Sequence, residues 1–173
     1  KYLRYSAAHS TIILQNTNIS EIKEDNPHIK YPQSVTFNTE NQNRNLIFEG
    51  SHNGYMKKFA KIIKRKILID NNNNSIFGED SIISLRKEIG DRIIFHIRFH
   101  LVNGISYIFT NNKKNIILKT KLKNMWLFKS ETELIVEDSI IVDNNNTLPT
   151  KQIVIKGIIT KNKQVKKWSL EKI

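Results

Sequence analysis

An all-β fold, an antiparallel β-sandwich or a large curled sheet, is what three features of this 173-residue sequence predict. Short runs rich in Ile, Val, Phe and Tyr recur along the chain, and such runs suit a pleated, half-buried strand. Asn and Gly punctuate them at Asn53-Gly54, 71–74, Asn103-Gly104, Asn111-Asn112, 144–146 and Lys161-Asn162. Both residues tolerate the positive φ that tight hairpins need. No stretch sustains a helical period, so many strands at hairpin spacing remain.

Taken in order, the candidate strands are 11–15, 45–49, 62–70, 81–86, 93–102, 105–110, 115–119, 125–129, 133–142, 152–160 and 165–170. The polar stretch 24–44, with Pro27 and Pro32, is the one long loop expected, and loops of that length are often functional. Neither an internal repeat nor a linker divides the chain, so residues 1–173 are expected to form a single domain.

Composition sets the outer limits. The chain is 39% apolar and 25% charged, long enough to bury a core. Without cysteine it has neither disulfides nor thiolate metal sites. No apolar run reaches the length of a membrane span, and the start lacks the layout of a signal peptide. A net charge of +12 raises encounter rates with any polyanion, whether nucleic acid, acidic polysaccharide or membrane surface. Most of the basic residues are lysine and accompany abundant Ile and Asn, the amino-acid bias of an AT-rich genome. A solvated lysine surface is therefore a sufficient explanation. Nothing beyond charge points to nucleic acid, because no recognition helix or aromatic RNA-binding strand is present.

Alternation within two strands is informative. In 62–70 the apolar face reads Ile63, Arg65, Ile67, Ile69, which places a guanidinium among aliphatic side chains. A buried cation requires a carboxylate, and Glu79 or Asp80 is positioned to supply it as a structural ion pair. In 93–102 one face reads Ile97, Phe99, Leu101 and the other His96, Arg98, His100. The two imidazoles lie roughly 13 Å apart along an extended strand, too far to chelate one ion. Arg98 and His100 are candidates for anion or substrate contact, against local hydrogen bonding as the simpler role. His52, just before the Asn53-Gly54 turn, is a third candidate, with loop fixation as its simpler role. Trp126 and Trp168 present flat faces to sugars or to the core, and Leu170 on the face of Trp168 favours core. No phosphate loop, zinc-protease helix or nucleophile elbow occurs.

Several segments carry a resemblance. Ala8-His9-Ser10-Thr11 resembles the Ala-His-Ser/Asn-Thr signature of the heparinase II/III-like proteins. Ser51-His52-Asn53-Gly54-Tyr55 is similar to that family's His-Asp/Asn-Gly-Tyr turn. Arg65 keeps the arginine of its His-x-Arg strand, with Ile63 in place of the histidine. Gly78-Glu79-Asp80, Arg98-Phe99-His100-Leu101, Gln152-Ile153-Val154 and Lys167-Trp168-Ser169-Leu170 follow in the order seen in bacterial members.

The resemblance implies a polysaccharide lyase of the periplasm or cell envelope, in which an α/α toroid precedes a β-sandwich and uronic-acid glycans are cleaved by β-elimination. That reaction neutralises the C6 carboxylate, removes the C5 proton and protonates the leaving oxygen, commonly with Tyr and His. The resemblance places most of those residues in an N-terminal α-helical domain upstream of Lys1. It also implies a structural zinc, with His9 as the matching ligand and its companions upstream. The implied partner is an acidic polysaccharide, and the alternative is a noncatalytic glycan-binding or structural β-domain.

Overall fold

The computed structural model describes residues 2–22, 29–42, 44–86, 92–143 and 146–173. Two 3₁₀ turns, Tyr2–Arg4 and Ser6–Ala8, lead into β1 (Ile12–Leu14), β2 (Glu21–Ile22), β3 (Ile29–Lys30), β4 (Val35–Gln42) and β5 (Asn45–His52). A single helical turn, α1 (Met56–Phe59), precedes β6 (Lys61–Asp70), β7 (Ser75–Ser84), β8 (Ile94–His100), β9 (Ser106–Thr110) and β10 (Asn115–Lys119). The chain ends with β11 (Met125–Ser130), β12 (Leu134–Asp143), β13 (Asn146–Ile158) and β14 (Lys163–Lys172).

All pairings are antiparallel, and hairpins connect most neighbours. One sheet has eight strands in the order β4-β5-β6-β7-β14-β11-β10-β9, a second has four in the order β1-β8-β13-β12, and β2 and β3 pair as a separate two-stranded ribbon. Their facing sides form a sandwich whose core includes Ile12, Phe95, Ile97 and Ile153 from the small sheet and Ile63, Ile82, Ile116 and Phe128 from the large one. Predicted turn residues adopt the left-handed backbone expected of them, with φ of 49° at Asn74, 51° at Asn111 and 86° at Gly104.

Three elements differ from expectation. The stretch 24–44 is not one loop: β3 and all of β4 lie within it, while residues 24–28, with Pro27, and residue 43 fall outside the described residues. β4 is the exposed edge of the large sheet, so it carries few apolar residues and is held by its eight-residue ladder to β5. β7 starts at Ser75 and runs through Gly78, six residues ahead of the strand expected at 81–86. Glycine is needed there because a Cβ would sit 2.0 Å from the Trp168 ring. β13 extends back past Pro149 to Asn146, paired with β12 out to Asp143; residues 144 and 145 of the predicted turn are outside the described set.

Arg65 ties the sheets together. Its Nε and Nη2 donate to the two Asp80 oxygens at 2.6 and 2.9 Å, and Nη1 donates to the Ser10 carbonyl at 2.5 Å, next to β1. Trp168 Nε1 donates to Asp80 Oδ2 at 2.9 Å. The Asp80 side chain is wholly buried, so three donors replace its lost water. The guanidinium also lies 5.6 Å from the Phe99 ring of the small sheet, and Phe99 meets Trp168 edge-on at 4.7 Å. Arg65 thus occupies the apolar face with Asp80 as its carboxylate, as alternation and charge pairing predict.

Replacing Gly78 with alanine is expected to push the Trp168 ring off Asp80 and to destabilise the fold by about 1–3 kcal/mol, the usual range for overpacking. Urea unfolding followed by tryptophan fluorescence reads this directly; an unchanged midpoint would show that the ring can move freely.

Candidate functional site

Where β1 passes the β4–β5 hairpin, the two sheets leave a groove of about 260 Å³. Antiparallel register builds it in two rows. Phe37, Gly50, Arg65 and Asp80 are successive cross-strand partners over β4 to β7, and Val35, His52, Ile63 and Ile82 form the adjacent row. Each row begins at the exposed edge and ends in the core: Phe37 and Val35 are 66% and 67% exposed, whereas Ile82 and Asp80 are buried. Gly50 places no side chain between the Phe37 ring and Arg65, which keeps the groove open.

His52 lines this groove. Its Nδ1 accepts the Gly54 N–H at 3.2 Å, so the neutral ring carries its proton on Nε2. Nε2 is buried and has no hydrogen-bond partner among the described residues. Burial lowers the pKa of the ring and favours this neutral form. Tyr55 packs beside it, ring centres 5.9 Å apart, and donates its hydroxyl to the Thr17 and Ile12 carbonyls at 3.0 and 3.2 Å. The His-Asn-Gly-Tyr turn therefore fixes β5 to the segment around β1. Burial raises the Tyr55 pKa well above its ordinary value, which removes it as an acid or base near neutrality.

The other two candidate contacts lie elsewhere. Arg98 and His100 face the outer side of the small sheet. Arg98 Nη1 pairs with Glu137 Oε2 at 2.8 Å, and Gln152 Nε2 donates to the same oxygen at 3.2 Å. His100 Nε2 lies 3.1 Å from the Ala7 carbonyl, which only accepts, and Nδ1 lies 2.7 Å from Ser139 Oγ. The neutral ring thus donates to Ala7 and accepts from Ser139. Its pKa is lowered, first by burial and then by the Arg98 charge. A groove of about 450 Å³ adjoins His100, bounded by Tyr5, Ala8, Asp138 and Ile140. The structure therefore joins Arg98 to His100 and places His52 on the inner face of the other sheet.

His9, the candidate zinc ligand, is exposed, and its Nε2 lies 2.8 Å from the Leu3 carbonyl. Among the described residues no three His, Cys, Asp or Glu side chains lie close enough to hold a metal, so these residues do not form a zinc shell by themselves. Phe37 and Val35 escaped notice in the sequence because their segment read as a loop; the Val-x-Phe alternation was the available signal. Trp168 is core, as its alternation suggests. On the outer face of the large sheet, Glu49, Lys66, Glu79 and Lys167 are successive cross-strand partners of alternating sign. Lys64 also pairs with Glu49 and Lys129 with Glu171, so the positive charge is not gathered into one polyanion-binding face there.

His52, His96 and His100 all have pKa values below the ordinary 6.5, burial being the first cause in each. The unfolded chain therefore binds more protons than the folded one between their folded values and 6.5, and stability falls as pH falls through that window. Asp70 and Glu171 have lowered values too, but their losses come below the ordinary carboxylate range. Urea midpoints should decline between about pH 7 and about pH 5, less steeply for His52→Gln, and a flat profile would contradict the burial account.

The sequence matches the family described as heparinase II/III-like, C-terminal, over residues 1–169. A comparison with curated proteins yields no match. Among solved structures, the heparan sulfate lyase HepC from Pedobacter heparinus superposes with a TM-score of 0.76 at 15% identity, over 99% of this chain and 25% of that one. A heparinase III superposes with a TM-score of 0.70 at 10% identity, over 95% of this chain and 23% of that one. At such identities the likeness shows the fold, and this chain spans about a quarter of either protein's length. The match over nearly its whole length establishes that the chain belongs to the heparinase II/III-like C-terminal family.

Proposed function

We propose that this chain is the C-terminal β-domain of a polysaccharide lyase that cleaves uronic-acid-containing acidic glycans by β-elimination in the periplasm or cell envelope. The observation that carries this reading is the family match over residues 1–169, joined to a fold shared with a heparan sulfate lyase four times as long. An α-helical domain outside residues 1–173 would supply most of the groups that neutralise the C6 carboxylate, take the C5 proton and protonate the leaving oxygen. A structural zinc at His9 would likewise draw its remaining ligands from outside these residues.

The work left to this chain is positioning and binding. Two of the candidates keep a nitrogen without a partner among the described residues, His52 Nε2 and Arg98 Nε, and both atoms are buried. His100 would meet a glycan through the groove beside Ser139, while Arg98, outside that lining, is already neutralised by Glu137. A second reading, a noncatalytic glycan-binding or structural domain, is favoured by the pairing of Arg65 with Asp80 and of Arg98 with Glu137, which commits both guanidinium charges within the fold.

The test is ultraviolet absorbance of the unsaturated uronate product, with a panel of acidic polysaccharides and a longer protein that includes the upstream helical domain. Absorbance that grows with the longer protein and not with residues 1–173 is the expected result. No elimination from any uronic glycan by either protein would remove the lyase reading and leave the binding one.

A further inference from the structure

We infer that the tip formed by the β8–β9 and β10–β11 turns docks on an anionic phospholipid surface, with Leu122 entering the acyl boundary and the lysines around it meeting lipid phosphates. This role goes beyond the lyase reading and does not rest on it.

Charge segregation comes first. Residues 92–130 hold eight Lys or Arg and no Asp or Glu. Arg98, Lys113 and Lys129 find carboxylates from outside that stretch, on Glu137, Glu133 and Glu171. Lys119, Lys121 and Lys123 are exposed, and none of them is paired among the described residues. All three bracket one turn, so their charges add at one place. Such a cluster attracts an anionic surface and repels a second copy of itself.

The apex of that turn is apolar. Thr120 and Asn124 close it: the Lys123 N–H donates to the Thr120 carbonyl at 2.9 Å, the Thr120 N–H to the Asn124 carbonyl at 2.9 Å, and the Asn124 N–H to Thr120 Oγ1 at 3.2 Å. Lys123 follows with φ of 64°. Lys121 and Leu122 are left at the two corners, positions that ordinarily favour Asn, Asp, Gly, Ser or Pro. Leu122 is 84% exposed, more than any other large apolar side chain among the described residues. Backbone bonds and the Thr120 hydroxyl hold the turn, so the fold does not call for an aliphatic group there.

A neighbouring turn widens the tip. Lys119 lies opposite Met125 on β11 and opposite Ser106 at the start of β9. The Lys121 stem crosses Gly104 in the β8–β9 turn, where an added Cβ would come within 2.0 Å of Lys121 Cε. Val102, two residues earlier, is 58% exposed, and Met125 is 40% exposed. Aliphatic side chains and unpaired ammonium groups therefore share one end of the large sheet.

That combination selects the partner. Anionic headgroups attract each nearby lysine by roughly fivefold in affinity, and the acyl boundary takes up the aliphatic side chain that the lysines surround. An acidic glycan would satisfy the lysines alone, because Leu122 offers a sugar ring no flat face and would stay in water.

The test is sedimentation of the 173-residue chain with vesicles of phosphatidylcholine alone or with about 30% phosphatidylglycerol, the latter supplying the negative surface potential. Binding is expected only to the anionic vesicles, and to fall at least tenfold between about 50 and about 500 mM salt as the charges are screened. Lys121→Gln should weaken it about fivefold and Leu122→Gln about tenfold, with urea midpoints unchanged because both side chains are exposed. The sequence has no cysteine, so Leu122→Cys carries a single environment-sensitive fluorophore, with Asn162→Cys, beside Ser84, as the control position. The label at 122 should shift to the blue on anionic vesicles, and the label at 162 should not.

Absence of binding to anionic vesicles, equal binding to both vesicles, or a Leu122→Gln variant that binds as tightly as the parent would each overturn the membrane role. So would a shift at 162 without one at 122. A blue shift at 122 produced by a heparan-type hexasaccharide, or by raising protein concentration without vesicles, would assign the tip to a glycan or to a second copy instead. The elimination assay is independent of these outcomes. Product formation by the longer protein without vesicle binding would keep the lyase reading and remove the tip, and vesicle binding without elimination would do the reverse.

Discussion

A single buried ion pair sets the terms for the rest of this molecule. Arg65 stands in the apolar row of β6, and Asp80, across from it on β7, has no exposed side-chain surface. Removing two charges from water is costly unless their remaining hydrogen-bond sites are also filled. Here partners come from both sheets, one for each guanidinium nitrogen. Ser10 beside β1 takes one guanidinium proton, Trp168 on β14 donates to the carboxylate, and the Phe99 ring of β8 faces the cation. The pair is therefore satisfied only when β1, β8 and β14 are in place. That geometry fixes the relative position of the sheets more narrowly than aliphatic contact can, since apolar packing is nondirectional.

The same pair shapes the groove beside it. Register places Gly50 and then Phe37 in line with Arg65 and Asp80, so the ion pair forms the inner end of a row whose outer end is an exposed aromatic ring. A guanidinium visible from a groove invites an anion-binding interpretation. Neutralisation by Asp80 argues the other way, because the charge is already matched within the fold. Net charge is misleading in the same sense on the outer face, where lysines alternate with glutamates across four strands.

Much of this was legible in the sequence, for definite physical reasons. Period-2 alternation marked both faces of β8 and put Arg65 on the apolar side of β6, and the requirement for a carboxylate narrowed its partner to two residues. Short-range patterning failed where a tertiary contact replaced it. Gly78 fell outside the strand expected at 81–86, though it is a strand residue kept small by the Trp168 ring. β4 looked like a loop because an exposed edge strand needs few apolar residues and is held by backbone bonds that leave no trace in composition. The groove was hidden for the same reason, since one wall belongs to β4. His52 was visible as a candidate from its turn, but its free nitrogen depends on the fold around it.

The most direct measurement of the central constraint is a double-mutant cycle between Arg65 and Asp80, with Arg65→Met, Asp80→Asn and the combined variant followed by urea unfolding. Each single change should destabilise strongly by stranding the other partner, on the order of 3 kcal/mol for a buried pair. The double variant should then lose much less than the sum, with a coupling of about 2 kcal/mol or more. Additivity within about 0.5 kcal/mol would mean that the two residues act independently and that the sheets are held in register by something else.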